Sequence, residues 1–516
     1  MKHSKKLASL LLALVMALSL AVTAFADEST TYSITINNST AGHTYEAYQI
    51  FTGDLATNEA GNKVLSNIVW GSGVSEAGQT ALGDAAAKAE TLKTEADAKA
   101  FAKAVAPYLT TAAGSANTVT DGKYVISGLA AGYYLVKDQD GSLTGDNDSY
   151  TEYIIQVVGN VTATPKSDVP EVQKKVKDIN DSTDTTKTDW QDSADYDIGD
   201  SIPFQLKATL ADNVSSYTTY KVVFHDTLSK GLTYNKDAKV YIDGTETNGF
   251  TVTATVNADG TTTLTVSCDD VKALGAGNSS VITVEYTAKL NENAVLGSAG
   301  NPNEVYLEYS NNPNKSEEGN NETGETPKDV VIVFTYKTII NKVDSETKPL
   351  TGAAFKLEKL IKGKDGAAGT WTTVKEFTVD ETTTSFTFSG LDDGQYKLTE
   401  TKTPVGYNTI DPIYFVIEAT HGETADVPTL KTLNAYLTDA NGNKQTEMKD
   451  GESVNIGLGI VDLTAGSITT TVVNKSGSEL PSTGGIGTTI FYVLGSILVI
   501  GAAVLLVTKK RMSTKG

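Results

Sequence analysis

Short runs in which apolar and polar residues alternate constrain this chain more than any other feature. Tyr32-Ser33-Ile34-Thr35-Ile36 is one, and Tyr45-Glu46-Ala47-Tyr48-Gln49-Ile50-Phe51 follows it. A period of two puts every second side chain on one face, which suits a half-buried strand and not a helix. The runs are rich in Thr, Val and Tyr and are punctuated by Gly, Asn and Asp, the residues of turns. They recur over most of the 516 residues. The expected fold is therefore mostly β, as tandem immunoglobulin-like β-sandwich domains. One stretch departs from the pattern: the Ala/Lys/Glu-rich piece from Glu76 to about Leu109 has helical propensity and is expected to be a helical insertion in the first domain.

The two ends read differently. Lys2, Lys5 and Lys6 precede an apolar core from Leu7 to Val22, and Ala24-Phe25-Ala26 closes it as an A-x-A site. Residues 1–26 are expected to be a secretory signal peptide. At the other end Gly485 to Thr508 contains no charged residue and is followed by Lys509-Lys510-Arg511. As a helix rising about 1.5 Å per residue, that run is long enough to cross a hydrocarbon core of roughly 30 Å. The basic cluster after it would stay on the cytoplasmic side.

Loss of both ends would remove seven Lys/Arg and no acidic residue, taking the formal charge from −21 to −28. So acidic a surface repels nucleic acid and anionic lipid, so no nucleic-acid partner is expected. Cys268 is the single cysteine, so an exported chain of this kind has no intramolecular disulfide. Its neighbours Leu264-Thr265-Val266-Ser267 suggest a strand, which makes Cys268 a small buried hydrophobe.

Between the ends, junctions fall at two places. Val161-Thr162-Ala163-Thr164-Pro165-Lys166 closes a first domain, 27–168. Nine strand-like segments then suit a second sandwich at 169–336, with Asn311 to Lys328 read as a polar, Gly-rich loop. A third, smaller domain is expected at 337–475 and a terminal segment at 476–516. The link between the second and third domains is short, which predicts stacked domains. Two acidic stretches, Asp138 to Asp148 and Asp178 to Asp200, are read as solvated loops, because the ligand order of an EF-hand loop is absent from both. No Gly-rich phosphate loop, zinc spacing or serine-protease constellation is found, so no cofactor and no metal site are expected.

Immediately before the apolar run stands Leu480-Pro481-Ser482-Thr483-Gly484. This resembles the L-P-x-T-G sorting signal of Gram-positive surface proteins, and the order of signal, apolar span and basic stop is that family's arrangement. The resemblance implies cleavage by a sortase between Thr483 and Gly484 and transfer of the Thr483 carboxyl to an amine. The span would then be a temporary hold, and the mature protein secreted and wall-anchored.

The third region resembles the Cna-B-type domain of Gram-positive adhesins and pilins. Lys342 and Asp344 sit in its first strand, Asn474 ends its last, and Glu400 lies in Tyr396-Lys397-Leu398-Thr399-Glu400-Thr401-Lys402-Thr403-Pro404-Val405-Gly406-Tyr407, which is similar to the pilin E-box. In that family a Lys and an Asn condense into an isopeptide bond with the help of the Glu. The chemistry is readable from the residues. Alternation turns Ile340 with Lys342, Tyr396 with Leu398 and Glu400, and Val472 with Asn474. If those faces form the core, burial lowers the Lys pKa and raises that of the Glu. A neutral amine can then attack the carboxamide carbon, while a protonated Glu hydrogen-bonds the carboxamide oxygen and shuttles protons as ammonia leaves.

The second region resembles a Cna-A-type domain. Phe224-His225-Asp226-Thr227-Leu228-Ser229-Lys230-Gly231-Leu232 matches its aspartate motif, so Asp226 would be the carboxyl helper. Lys174 shares a face with Val172 and Val176 and is preferred to Lys175. Asn303 leads the strand through Tyr309 and is the expected partner, with Asn311 as the alternative. His225 points away from Asp226 on an ideal strand. Finally, Val161, Pro165 and Lys166 align with the pilin motif of backbone pilins, although Val157, Ala163 and Thr164 depart from it. The resemblance implies that Lys166 attacks the sortase-bound Thr of the next subunit; Lys174, Lys175 and Lys177 are nearby competitors.

Together these resemblances point to a backbone pilin of a sortase-assembled surface fimbria that supports adhesion. Its expected partners are a sortase, further copies of itself, minor pilins, peptidoglycan, and a host or surface ligand for the fibre. Its chemistry would be single-turnover self-crosslinking, not catalysis on outside substrates. A monomeric wall-anchored adhesin binding a host matrix ligand, or a minor pilin, are the alternatives.

Overall fold

A computed structural model describes residues 30–57, 62–143, 148–165, 168–183, 189–317, 320–362, 368–445 and 454–477. The signal peptide, Lys166, the Leu480–Gly484 signal and the apolar run after it lie outside the described residues. Among the described residues no helix is long and apolar enough to cross a membrane.

The alternating runs fold as strands whose inward side chains make the cores. In Tyr32–Asn37 every second residue is buried, and the same holds along Val281–Leu290 and, as far as Glu400, along Gly394–Lys402. The N-terminal part has two sheets. Tyr32–Asn37 pairs antiparallel with Lys123–Leu129 and parallel with Val161–Ala163. The second sheet runs in the order Lys63–Trp70, Tyr45–Thr57, Gly132–Asp138, Glu152–Val157, with Gly114–Ala116 also on Tyr45–Thr57.

The helical excursion is three short helices, not one. Ser75, Asp84 and Thr94 each cap a new start by accepting a backbone N–H. The first helix ends at Gly83, whose φ of 87° is open to glycine. Phe101, Val105 and Ala89 bury the helical faces against Phe51 and Leu135.

The middle part packs two sheets over one core. One is ordered Ser193–Asp195, Asp329–Phe334, Asn301–Ser310, Val222–Leu228, Thr262–Cys268, Thr251–Val256. The other is ordered Thr245–Thr247, Lys239–Ile242, Val281–Leu290, Ser201–Thr209, Glu171–Val176. Cys268 is buried in this core. The C-terminal part repeats the design. Ser385–Leu391, Tyr336–Asp344, Ser467–Asn474 and Val454–Asp462 form one sheet. Thr370–Glu376, Ala354–Ile361, Gly394–Lys402, Ile413–His421 and Leu430–Thr438 form the other.

Three sequence expectations need correction. The stretch from Asn311 to Lys328 is not simply a loop: Thr323–Glu325 adds to the edge of Asn301–Ser310, and Ser316–Glu317 pairs with Asn320–Asn321. These pairings supply partners for backbone groups that a loop would leave to solvent. Asp138 and Asp148 are not solvated; they close on the buried His43, with Asp138 Oδ1 2.7 Å from Nδ1 and Asp148 Oδ2 3.1 Å from Nε2. Asp181 and Asp197 of the Asp178–Asp200 stretch are likewise tied down where the middle and C-terminal parts meet. Lys359 Nζ reaches Asp197 at 2.6 Å and Asp181 at 3.5 Å, and also contacts the fully buried Asp392. In both places a cation supplied from elsewhere in the fold makes burial of the carboxylates tolerable.

Only Thr335 separates Asp329–Phe334 from Tyr336–Asp344. The same junction brings Gly297 against Gly466, where a Cβ on Gly297 would lie 2.3 Å from the Thr464 carbonyl oxygen. Ser298 N–H donates to Leu463 O beside it.

Candidate functional site: two buried Lys/Asn pairs

In the middle part the two sheets bring together a Lys, an Asp, a Tyr and an Asn. Along Glu171–Val176 the inward positions are Lys174 and Val176; Lys174 is 0 % exposed. Lys175 points the other way and pairs with Asp192. Lys174 sits opposite Leu206 on the neighbouring strand, which places its amine beside the rings of Phe204 and Tyr286, each 5.5 Å from Nζ. From the facing sheet come Asp226, opposite Val305, and Asn303, opposite Leu228. Both are fully buried.

The polar atoms form a closed set. Lys174 Nζ contacts Asp226 Oδ1 and lies 3.1 Å from the Tyr286 hydroxyl. That hydroxyl donates to Asp226 Oδ2 at 2.5 Å and accepts from Asn303 Nδ2 at 2.8 Å. Asn303 Oδ1 is buried and takes no hydrogen bond among the described residues. Burial pushes the Lys174 amine down and the Asp226 carboxyl up, in each case against the attraction of the other. Both shifts move the pair toward a neutral amine and a neutral acid. Asn311 is elsewhere: its N–H donates to Glu322 O and its carbonyl accepts from Tyr150 N–H. His225 faces out, stacked on Tyr306 and 3.0 Å from Glu308.

In the C-terminal part Lys342 is fully buried on Tyr336–Asp344, opposite Val472 of the parallel strand Ser467–Asn474. Asn474, two residues on, is also fully buried, and Glu400 is 5 % exposed. Both Glu400 oxygens accept from Asn474 Nδ2, at 3.0 and 3.1 Å, and Nδ2 also reaches Asn408 O at 3.0 Å. Glu400 Oε2 accepts further from Thr403 Oγ1 and from Ile410 N–H. The carboxylate therefore grips the carboxamide nitrogen, where the sequence argument had put it on the oxygen; Asn474 Oδ1 is buried without a partner among the described residues. Lys342 Nζ donates to the carbonyls of Val343 and Val472, both at 3.2 Å. Burial pushes its pKa down to about 8, against the pull of Glu400 and Asp344.

Tyr286, Thr403 and Asn408 escaped the sequence reading. Tyr286 had a usable signal, since it shares the inward face of its strand with Ile282, Val284 and Ala288. Asn408 had none, lying just past the E-box, where its N–H donates to Lys475 O. The residues flanking Lys166 are held: Asn37 Nδ2 donates to Thr164 Oγ1 at 3.3 Å, and Asp168 accepts from Asp212 N–H at 2.6 Å.

Comparison with known proteins fits this layout. Residues 198–313 match a family model described as Gram-positive pilin backbone subunit 2, Cna-B-like domain. Residues 337–431 match the prealbumin-like fold domain SpaA, and 472–513 the LPXTG cell wall anchor motif. Over these parts the chain is similar to Gram-positive backbone pilins. It is accordingly a cell-wall-anchored surface protein and a structural pilus subunit. For its middle part the matching description is Cna-B-like, where the aspartate motif had suggested the Cna-A type. The trypsin-resistant surface T6 protein of Streptococcus pyogenes serotype M6 is 26% identical over 452 residues, covering 76% of this pilin and 77% of the relative. The solved T6 backbone pilin of Streptococcus pyogenes, described as a modular three-domain structure, aligns at TM-score 0.55 and 18% identity over 88% of this chain and 100% of that one. The full-length major pilin SpaD of Corynebacterium diphtheriae aligns at TM-score 0.48 and 19% identity over 88% and 99%.

Proposed function

We propose that this pilin is the repeating subunit of a covalent fibre, joined head to tail by a sortase and hardened by two internal amide bonds. Thr483, freed from Gly484, is the acyl donor within Leu480-Pro481-Ser482-Thr483-Gly484, and Lys166 of the next copy is the acceptor. Such a contact joins different surfaces of identical subunits, which builds an open filament. Domains at 27–168, 169–336 and 337–475 stack along it. Lys174 condenses with Asn303 beside Asp226, and Lys342 with Asn474 beside Glu400. The sortase, other pilins and peptidoglycan are the covalent partners, and the fibre presents its surface to a host ligand.

The observation that carries this reading is the enclosure of Lys174 with Asp226 and Asn303 in one buried core. A lysine is rarely buried so fully, and here its amine meets a carboxylate and a phenol that also holds the Asn303 carboxamide. Substitution of Lys166 by Ala tests the polymer. The substituted pilin should lose its high-mass ladder on denaturing gels. A ladder unchanged from that of the parent chain would remove Lys166 from the role, and absence of a ladder in the parent would favour the monomeric adhesin.

A further inference from the structure

We infer that the Tyr286 hydroxyl is a catalytic proton relay for the Lys174–Asn303 condensation, a part that the C-terminal site does without. The inference rests on the reading that these two residues condense. The contrast between the sites carries it. At the C-terminal site the long Glu400 side chain holds the departing nitrogen directly, through both oxygens. In the middle part the carboxylate belongs to an aspartate, one methylene shorter. Asp226 contacts Lys174 and Tyr286, and among the described residues it has no hydrogen bond to the Asn303 carboxamide. Tyr286 spans that gap, with Asp226 Oδ2 on one side and Asn303 Nδ2 on the other. Its oxygen is also within 3.1 Å of the attacking amine. One donation and two acceptances use the hydroxyl fully.

The proton count closes through this chain. Lys174 begins with three protons on Nζ, and the first passes to Asp226, leaving an amine that can attack. The Nζ–Cγ bond to Asn303 forms, and the carboxamide nitrogen acquires a lone pair. Asp226 hands its proton to the Tyr286 oxygen while the phenol hydrogen turns to Nδ2. The Cγ–Nδ2 bond then breaks and ammonia leaves with that third hydrogen. Asp226 takes a second proton from Nζ and ends as the neutral acid beside a neutral amide, and the remaining Nζ hydrogen becomes the amide N–H. The phenol is never left as an anion. No oxidant or outside co-reactant is needed.

The test uses the full chain made by cell-free translation, sampled over time, digested, and read by mass spectrometry for the two cross-linked peptide pairs. Tyr286→Phe should form the Lys174–Asn303 link at least about tenfold more slowly, as loss of a general acid–base group does. The Lys342–Asn474 link in the same molecules should form at the parent rate. Equal rates for the first link in Y286F and parent would overturn the relay. Should Y286F fail to fold, 3-fluorotyrosine at position 286 keeps the shape but acidifies the phenol. It should change the rate and shift its pH profile, and an unchanged profile would overturn the relay as well. A parent chain with no Lys174–Asn303 link at all would sink the underlying condensation before any variant is compared.

Discussion

Lys174 and Asn303 stand on opposing sheets and meet on a single phenol: the amine and the carboxamide nitrogen lie 3.1 and 2.8 Å from the Tyr286 hydroxyl. Neither could be so buried without the other groups. The arrangement is costly as a set of separate polar side chains, and condensation into an amide would remove a charge pair from the core.

Two internal condensations would each release ammonia, so on this proposal the intact pilin should weigh about 34 Da less than its sequence requires. Lys174→Ala should restore about 17 Da of that deficit and Lys342→Ala the other half, each measured by intact mass. A Lys174–Asn303 link closes a loop of about 129 residues, and its loss should lower stability by roughly 5 kcal/mol in denaturant unfolding.

Asp226→Ala should abolish the middle bond and also leave the Lys174 amine uncompensated inside the core. Removal of one member of a buried pair costs about 3–5 kcal/mol. The double substitution Lys174→Met with Asp226→Ala should recover part of that loss, because it removes both polar groups. A double variant less stable than Asp226→Ala would contradict this account of the site.

Lys342 must be neutral to attack, and burial has brought its pKa down to about 8. The rate of Lys342–Asn474 bond formation should therefore rise with pH up to about 8 and level off above it. Cell-free synthesis at a series of pH values, with peptide mapping, gives the profile. A rate still rising tenfold per pH unit near 10 would mean that the amine behaves as an exposed lysine.

At the junction of the middle and C-terminal parts, Lys359 is held well above its ordinary pKa by Asp392, Asp197 and Asp181, despite burial that favours the neutral amine. Lys359→Met would leave these carboxylates facing one another. The expected loss is about 3–5 kcal/mol at neutral pH, and it should shrink in acid as the carboxyls protonate. Thermal unfolding at pH 7 and pH 4 measures both.

His43 gives the N-terminal part an opposite pH dependence. Burial pushes its pKa down, but Asp138 and Asp148 together raise it to about 9 from 6.5. A group raised on folding stabilises fully below its unfolded value, and that contribution fades as pH climbs from about 6.5 through 9. His43→Ala should thus cost more stability at pH 6 than at pH 9.5, followed by urea unfolding.

Much of this was legible in the sequence because strands write their inward face at every second residue. That rule alone separated Lys174 from Lys175 and turned Glu400 inward with Tyr396 and Leu398. It failed where burial comes from tertiary partners. Nothing local to Asp138 or Asp148 shows that His43, nearly a hundred residues earlier, will neutralise them. Tyr286 looked like any core aromatic until its hydroxyl met groups from the other sheet. The edge strand Leu430–Thr438 was missed because only Leu430, Leu433 and Thr438 of it are buried, so it does not alternate.

The parallel pairing of Tyr336–Asp344 with Ser467–Asn474 runs over eight opposed residues, from Lys337 and Ser467 to Asp344 and Asn474. The chain enters this sheet at one end of the first strand and leaves at the far end of the second. A pull applied along the fibre would slide these neighbours past each other instead of peeling them apart, so every rung would have to yield together. The Lys342 and Asn474 side chains lie across that same seam, and a covalent rivet there would stop the slide before it began.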